Sequence, residues 1–265
     1  MTSPSRRWSR PPFIKNPWVR WGTFALAALY LFLALASIEF DPGRIAEGWP
    51  RTVRLFGDFV RPDFVTRLRD IRIGILESLT MTVVSTAAGV LLAIPFSLGA
   101  ARNIAPTPVY LVCRGLVILL RTFPEVVVAL VFVVMVGFGP LAGVITLTLA
   151  SIGFIAKLMA EDIEDIDAKQ LEAMRATGAS PLQVIVYGVV PQVMPRFIGL
   201  SAYRLDINFR ESAILGIVGA GGIGAVLRTS MQRYDFDTTG AILLIIIGIV
   251  LVLEFLAGAV RKWVQ

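Results

Sequence analysis

Seven charged or amide side chains interrupt two long apolar stretches, and they are the residues best placed to do chemistry. They are Arg121 and Glu125, an i, i+4 pair in the first stretch, and Arg204, Asp206, Asn208, Arg210 and Glu211 in the second. A charge at the centre of a bilayer costs roughly 2.5 to 3.5 kcal/mol on insertion scales, so such residues face protein or water. Guanidinium groups match the oxygens of phosphate or phosphonate. Three arginines at one depth therefore predict a path for an oxyanion, to which Arg204 or Arg210 contributes.

The same charges have a plainer interpretation, in which they neutralise one another and hold helices in register. For any single pair this interpretation is preferred. At about 100° per residue, Arg204, Asn208 and Glu211 share one face of a helix, while Asp206 and Arg210 share nearly the opposite face. A helix that is polar on two sides is expected to face its own bundle on one side and a pore or a partner subunit on the other.

The composition predicts no catalytic residues, no metal site and no cofactor bound by this chain itself. Histidine is absent, and the single cysteine, Cys113, has no partner for a disulfide or a thiolate cluster. No nucleophile or carboxylate cluster with ligand spacing is present, which argues against a membrane enzyme acting on lipid phosphates.

A glycine-rich run resembles a phosphate-binding motif but lies in the wrong context. Gly219, Gly221, Gly222 and Gly224 spell G-x-G-x-x-G, yet the run follows an apolar span and not a strand of a soluble βαβ unit. We expect a flexible or close-packed turn at the outer mouth of a pore. The sequence also contains no G-x-x-x-x-G-K-[ST] loop, so the chain is not expected to hydrolyse ATP.

The overall composition is that of an all-α integral membrane protein. Hydrophobic residues make up 56% of the chain and charged residues 17%, and the mean hydropathy is +0.75. The net charge of +6 is dispersed, so lipid is the expected partner and nucleic acid is not. Apolar stretches of about 20 residues predict six transmembrane helices. They lie at residues 21–38, 79–99, 108–136, 140–159, 193–218 and 241–260. The third is long and is expected to bend at Pro124.

The distribution of basic residues predicts that both chain ends are cytoplasmic. Five basic residues fall in the predicted cytoplasmic segment 1–20: Arg6, Arg7, Arg10, Lys15 and Arg20. Arg261 and Lys262 follow the last span, which agrees with the tendency of cytoplasmic segments to be basic. The external segment 39–76 nevertheless carries seven arginines, which runs against that tendency.

The external segment is predicted to form two short amphipathic helices at the membrane surface. Apolar stripes recur at helical spacing on either side of Pro62. The first stripe is Val53, Phe56 and Val60, and the second is Phe64, Leu68, Ile71 and Ile75. These helices either rest on lipid or provide a landing surface for an external binding protein.

The loop between the fourth and fifth spans carries strong local signals for a helix, a turn and a second short helix. Gly178 suits a left-handed helix cap. Ser180 is placed as an N-cap, Pro181 as the first helical residue and Gln183 as the capping-box partner. A helix is therefore expected near residues 181–189.

This loop resembles the cytoplasmic EAA loop of the permease subunits of ABC importers. Glu172, Ala173, Gly178 and Pro191 are in register, whereas Met174 replaces a usual alanine and Gly188 a usual isoleucine. Residues 77–261 as a whole resemble the type I importer permease module, the MetI-like fold, preceded by an extra N-terminal helix. The finer similarity, through Arg121-Thr-Phe-Pro-Glu125 and Tyr203-Arg-Leu-Asp-Ile-Asn208, is to phosphonate importers. The glycine run is also similar to that of methionine importers.

The resemblance implies a complex in a prokaryotic cytoplasmic membrane. Two permease chains, expected to be identical, form the path; two cytoplasmic ATPases bind ATP and Mg; and an external protein delivers phosphonate, phosphite or phosphate. The coupling loop 161–192 meets the ATPase. Its coupling residues are Glu172, Ala173, Gly178, Ala179, Ser180, Pro181 and Pro191. The alternatives are a permease for another solute such as an amino acid, an exporter, and an ion-coupled secondary transporter, for which the halves show no inverted repeat.

Overall fold

The computed structural model describes residues 14, 16–37, 42–59 and 61–264, and every regular element within them is a helix. The all-α prediction is confirmed. The predicted basic residues Arg6, Arg7, Arg10 and Lys15 lie outside the described residues, as does Val60 of the first amphipathic stripe.

Eleven α-helices and one π-helical segment follow one another along the described chain. They are α1 (Pro17–Ser37), α2 (Pro42–Phe59), α3 (Leu68–Gly99), α4 (Thr107–Thr122), α5 (Glu125–Val136), α6 (Pro140–Glu164), α7 (Ala168–Ala176), α8 (Pro181–Gln183), the π-helical segment Val184–Val189, α9 (Val190–Ile217), α10 (Gly222–Gln232) and α11 (Phe236–Val264).

Five of the described helical stretches are long and apolar enough to cross a membrane, or six if a bent pair counts as one span. They are Pro17–Ser37, Leu68–Gly99, Pro140–Glu164, Pro181–Ile217 and Phe236–Trp263, and the bent pair is α4 with α5. The chain divides into a first unit, residues 1–54, which contains the apolar helix α1, and a second unit, residues 55–265. The predicted extra N-terminal helix is α1.

The third predicted span is not one bent helix, because α4 and α5 meet at 91°. Phe123 and Pro124 both adopt extended backbone conformations between the two helices. Proline disfavours the helical conformation for the residue before it, and it lacks the amide that would continue the ladder. The sequence predicted a bend at Pro124 but not an angle as large as 91°.

The second predicted surface helix does not exist as a separate element. Leu68 begins the 32-residue helix α3, which continues without interruption to Gly99. Ile71 is only 2% exposed and packs with Ile223 and Ile242. The stripe is therefore divided: Ile71 belongs to the protein core and Ile75 packs against it, whereas Phe64 and Leu68 are exposed.

Helices α3 and α6 pack closely because small residues line their contact. A Cβ at Gly89 would lie 2.3 Å from the Ser151 Cβ, and a Cβ at Gly143 would lie 2.1 Å from the Met81 methyl group. In a membrane, no hydrophobic effect drives helices together, so they associate through close packing. Small residues make this possible because they let the two backbones approach. This pair is the centre of the second unit, and α9 packs against both helices.

The two ends of this bundle are defined by local contacts. At one end, the Arg102 amide donates to Glu164 Oε1 at 2.8 Å, and Asn103 Nδ2 donates to the Ile163 carbonyl at 2.6 Å. This end also carries α7 and is called the loop side below. At the opposite end, the guanidinium of Arg67 lies 2.6 Å from Asp235 Oδ2.

The glycine-rich run forms a close-packed turn at the end opposite the loop side. Gly219, Gly221 and Gly222 have φ of 106°, 75° and 72°, a left-handed region that favours glycine. The turn directs the first amides of α10 at α3: the Gly222 amide donates to Glu77 Oε2 at 2.9 Å, and the Ile223 amide to Ser78 Oγ at 3.0 Å. These bonds satisfy helix-start donors that have no partner inside α10.

We predict that Gly224→Ala destabilises the protein. The new Cβ would lie 1.9 Å from the Ala213 carbonyl oxygen and 2.9 Å from Gly216 Cα, and overpacking of such a contact costs about 1–3 kcal/mol. The thermal unfolding midpoint in detergent measures the effect. Gly248→Ala is the matched control, because nothing lies within 4 Å of a Cβ there. Equal midpoints for the two variants would contradict the close packing.

Candidate functional site

A buried amide joins three helices in the middle of the bundle. Asn208 on α9 is 0% exposed, and its Nδ2 donates to Thr86 Oγ1 on α3 at 2.8 Å and to Ser151 Oγ on α6 at 3.0 Å. Ser85 Oγ lies 3.4 Å from the same nitrogen. Asn208 was predicted to be a path residue; the structure makes it an internal link between helices.

Arg204 is buried beside this link and is fully engaged. It is 3% exposed, its Nε donates to Ser151 Oγ at 3.0 Å, and its Nη2 lies 3.0 Å from Glu211 Oε2. Arg204 contacts Glu211 directly and shares the Ser151 hydroxyl with Asn208. The three side chains therefore lie on one face of α9, as predicted. A guanidinium paired with a carboxylate in the protein interior is held in one orientation.

The Phe154 ring connects Arg204 to Arg121. The Cζ atom of Arg204 lies 5.5 Å from the centroid of this ring, and that of Arg121 lies 5.9 Å from it. Both distances are within cation–π range. Arg121 makes no ion pair with any residue in the described part of the chain. Of the three arginines near mid-span, Arg121 is therefore the one without a carboxylate partner among the described residues.

The expected helical pairing of Arg121 with Glu125 is wrong. Arg121 is in the last turn of α4, whereas Glu125 begins α5 after the break at Pro124. Two residues four apart face each other only within one helix. Glu125 instead borders an apolar recess of about 330 Å³ between α4, α5 and α6.

Asp206 and Arg210 form an ion pair on the opposite face of α9, as predicted. The Asp206 side chain is 3% exposed and that of Arg210 is 48% exposed. Arg210 borders a second apolar recess lined by Leu243, Ile247 and Leu251 of α11. Of the three arginines expected to lie together, only Arg121 and Arg204 converge, because Arg210 points toward a different helix.

The predicted loop geometry is confirmed at its turn and its cap. Gly178 has φ of 82° in open space. The Ser180 amide donates to Gln183 Oε1 at 2.8 Å, and the Gln183 amide to Ser180 Oγ at 3.4 Å, completing the capping box. Most of the predicted coupling residues are exposed. These are Glu172, Ala173, Gly178, Ser180, Pro181 and Pro191, with Ala179 partly buried.

The second helix of the loop does not end near Val189, contrary to expectation. It passes through the π-helical segment and continues into α9, so that one helical path runs from Pro181 to Ile217. Pro191 lies in the first turn of α9. The wider π turn, in which the Val190 amide bonds the Ile185 carbonyl, accommodates a proline without ending the helix.

The two departures from the family's loop pattern compensate for each other. Gly188 is buried against α7, and a Cβ there would lie 2.6 Å from Met174 Sδ. The long side chain at 174 therefore occupies the space that a residue larger than glycine would need at 188. The sequence showed both departures, but their contact appears only in the folded loop.

Sequence reasoning missed Ser85, Thr86, Ser151 and Phe154. The only signal for the first three was a hydroxyl in an otherwise apolar span, which many membrane helices carry because the hydroxyl bonds its own helix backbone. Ser151 does so as well, donating to the Leu147 carbonyl at 2.6 Å. Their cross-helix role required knowledge of the neighbouring helices.

Comparisons with known proteins give a consistent result. Residues 69–265 match the family described as the inner membrane component of binding-protein-dependent transport systems. The chain is 39% identical over 242 residues to the phosphite transport system permease protein PtxC of Stutzerimonas stutzeri, covering 91% of this chain and 86% of that protein. It is 41% identical over 212 residues to the phosphate-import permease protein PhnE of Mycolicibacterium smegmatis, covering 80% of this chain and 40% of that protein.

A solved structure shows the same fold. An inward-facing structure of the MetNI methionine ABC transporter superposes with a TM-score of 0.66 at 24% identity, over 75% of this chain and 97% of that one. The MetI-like fold prediction is confirmed.

We predict that the Arg204–Glu211 pair behaves as a buried ion pair. Arg204→Met alone or Glu211→Leu alone leaves an uncompensated charge, at a cost of about 3–5 kcal/mol, whereas the double replacement is close to neutral. The thermal unfolding midpoints of the four proteins measure the coupling. Lys262→Gln, at the exposed end of α11, is the control for loss of a charge. Additive effects of the two single replacements would contradict the pairing.

We further predict that Gly188→Ala impairs the loop and that adding Met174→Ala restores it. The new methyl group collides with Met174 Sδ at 2.6 Å, and overpacking of this kind costs about 1–3 kcal/mol. The rate of limited proteolysis within the α7 loop reports the effect. If Met174→Ala fails to rescue Gly188→Ala, the contact is not what constrains the loop.

Proposed function

The chain belongs to the family of inner-membrane components of binding-protein-dependent transport systems, and from this membership we propose that its helices form the path by which a phosphate-like oxyanion enters the cell. A multi-pass membrane permease of an ABC importer works with an ATPase and a substrate-binding protein. We propose that the substrate is phosphonate, phosphite or phosphate. The names of the two relatives described above support this class.

The observation that carries the proposal is the convergence of Arg121 and Arg204 on Phe154. A guanidinium group in the last turn of α4 and another in the middle of α9 are costly among apolar helices unless they have a function or full neutralisation. Glu211 neutralises Arg204, while Arg121 has no carboxylate partner among the described residues. An arginine without an ion pair at this depth suits an anionic solute, because guanidinium forks match phosphate-type oxygens.

Arg121 and Arg204 differ in the roles that we propose for them. Arg121 meets the anion directly. Arg204 is available only when the anion replaces Glu211 as its partner, and Asn208 holds the helix on which both Arg204 and Glu211 lie. Glu125 and the Asp206–Arg210 pair border separate apolar recesses, and for them we keep the broader proposal that they line the path or face a partner helix.

We propose that residues 161–192 couple this path to the ATPase. The exposed residues Glu172, Ala173, Gly178, Ser180, Pro181 and Pro191, with the partly buried Ala179, form the docking surface in this proposal. The continuous helical path from Pro181 to Ile217 contains Arg204 and Glu211. A displacement of its loop-side end is therefore transmitted along one element to the charged pair.

We propose a complex with two copies of this chain, two ATPases that bind ATP and Mg, and an external phosphonate-binding protein. The chain itself has no ATPase role in this proposal. Residues 77–261 form the permease domain, residues 1–20 and both termini are cytoplasmic, and segment 39–76 is external. The glycine turn from Gly219 to Gly224 then lies at the outer end as a turn or gate.

A permease for an amino acid is the second candidate, because the fold matches that of a methionine transporter. An ion-coupled secondary transporter ranks lower, since the family acts with a binding protein.

We predict that uptake requires all components. Liposomes containing this chain with its ATPase are supplied with the binding protein, and uptake of labelled phosphite, phosphonate, phosphate and methionine is measured with and without ATP. Uptake of one of the three phosphorus oxyanions that depends on ATP and on the binding protein is expected. Methionine uptake alone would favour the second candidate, and ATP-independent flux would contradict an importer.

We also predict that Gly178→Val uncouples the loop, whereas Gly178→Asn does so much less. No atom lies within 4 Å of a Cβ at Gly178, so any effect arises from its φ of 82°. Valine strongly disfavours this conformation and asparagine tolerates it. Uptake and co-purification of the ATPase are compared for the two variants at equal amounts of folded permease. Equal effects of the two would contradict a role for the left-handed turn.

A further inference from the structure

A charged recess lies between α4 and α6, between Arg121 and the loop side. It has a volume of about 430 Å³ and is lined by Arg114, Arg121, Lys157 and Glu161, with Ile118 and Thr122 between them. The α4 residues are spaced so that they share one face of the helix. Neither Arg114 nor Lys157 was singled out from the sequence.

The cations of the recess outnumber the carboxylate that borders it. Glu161 Oε1 lies 3.7 Å from Lys157 Nζ and 4.0 Å from Arg114 Nη2, so one carboxylate is shared between two cations. Arg114 also reaches Glu164, at 3.9 Å. These separations exceed hydrogen-bond length, and Arg121 adds a third cation with no ion pair among the described residues. The recess therefore has unused donors and a positive potential.

The same face is unsuited to lipid. Arg114 and Lys157 have side-chain exposures of 25% and 42%, and both belong to helices whose residues are mostly apolar. Ionised groups in such helices face water or protein because hydrocarbon cannot solvate them. The recess is thus expected to open to an aqueous space.

We propose that Arg114, Arg121 and Lys157 form a second oxyanion-binding site on the loop side of the Arg204–Glu211 pair. Arg121 belongs to both sites, since its guanidinium contacts Phe154 on one side and borders the recess on the other. An anion leaving Arg204 passes by way of Arg121 to Lys157 and Arg114, toward the α7 loop. The identity of the anion as a phosphorus oxyanion rests on the proposed function; the existence of the site does not.

Glu161 gives this site the weak affinity that a transit site needs. It competes with an incoming anion for both Lys157 and Arg114, so the anion binds only by displacing an existing partner. A site that held an anion with three unopposed cations would retain it.

A cysteine reporter in the recess tests the proposal. Ile118→Cys is introduced in a Cys113→Ser background, and the complete complex is placed in lipid nanodiscs. Modification of this chain by an anionic and by a cationic methanethiosulfonate is followed by mass spectrometry, with and without inorganic phosphate or phosphite. Val112→Cys is the matched reporter, because Val112 is 62% exposed on the opposite face of α4.

We expect the ratio of the anionic to the cationic modification rate to be about tenfold higher at position 118 than at position 112. This is the lower end of the range by which a positive cleft concentrates anions. Phosphate or phosphite slows the reaction at 118 and leaves 112 unchanged. Arg114→Gln and Lys157→Gln each reduce both the preference and the protection, whereas Lys157→Arg keeps them. Lys262→Gln removes a lysine from the same end of the molecule and leaves both effects intact.

Three results would overturn the proposal: no modification at 118 by either reagent, modification without charge preference, or no protection by phosphate or phosphite. Uptake measured for the same variants reconstituted into liposomes separates this proposal from the previous one. Protection without uptake of any phosphorus oxyanion rejects the proposed substrate and keeps the site. Uptake without protection keeps the substrate and rejects the site.

Discussion

The arrangement of the membrane helices depends on one buried amide, that of Asn208. A buried polar group at membrane depth needs hydrogen-bond partners, because the surrounding hydrocarbon supplies none. Asn208 finds them on α3 and α6 at once, through Thr86 and Ser151. This requirement fixes both the rotation and the depth of α9, because a shift of one turn, about 5.4 Å, would leave the amide unpaired.

The close packing of α3 and α6 is what allows a single amide to reach both helices. Gly89 and Ser151 lie in direct contact at their interface, and a larger residue at either position would move the two hydroxyl partners apart. Ser151 also accepts a hydrogen bond from Arg204. The geometry that fixes α9 therefore also fixes the orientation of its buried arginine.

The two arginines that flank Phe154 differ in their ion pairing. Arg204 is neutralised by Glu211 and oriented by Ser151, while Arg121 contacts the same ring from α4 without a carboxylate partner in the described part of the chain. One arginine is thus paired with a carboxylate and the other is not. Because α9 continues back to Pro181 as one helical path, the exposed loop and Arg204 belong to the same element.

The sequence by itself determined the features that depend on neighbours along the chain. The spans follow from runs of apolar residues, the cap at Ser180 and the turn at Gly178 from local hydrogen bonding and backbone preference, and the polar faces of α9 from helical periodicity. The family followed from the loop motif, which is also local. These predictions held because each involves residues only a few positions apart.

Tertiary structure alone decided which helices meet. The sequence could not show that Ile71 belongs to the core, that Met174 fills the space at Gly188, that the chain turns through 91° at Pro124, or that Arg210 turns away from Arg121. In a membrane, nearly every residue of a span is apolar whether it faces lipid or protein, so hydropathy does not distinguish the two environments. Packing between helices that are distant in the sequence supplies that distinction.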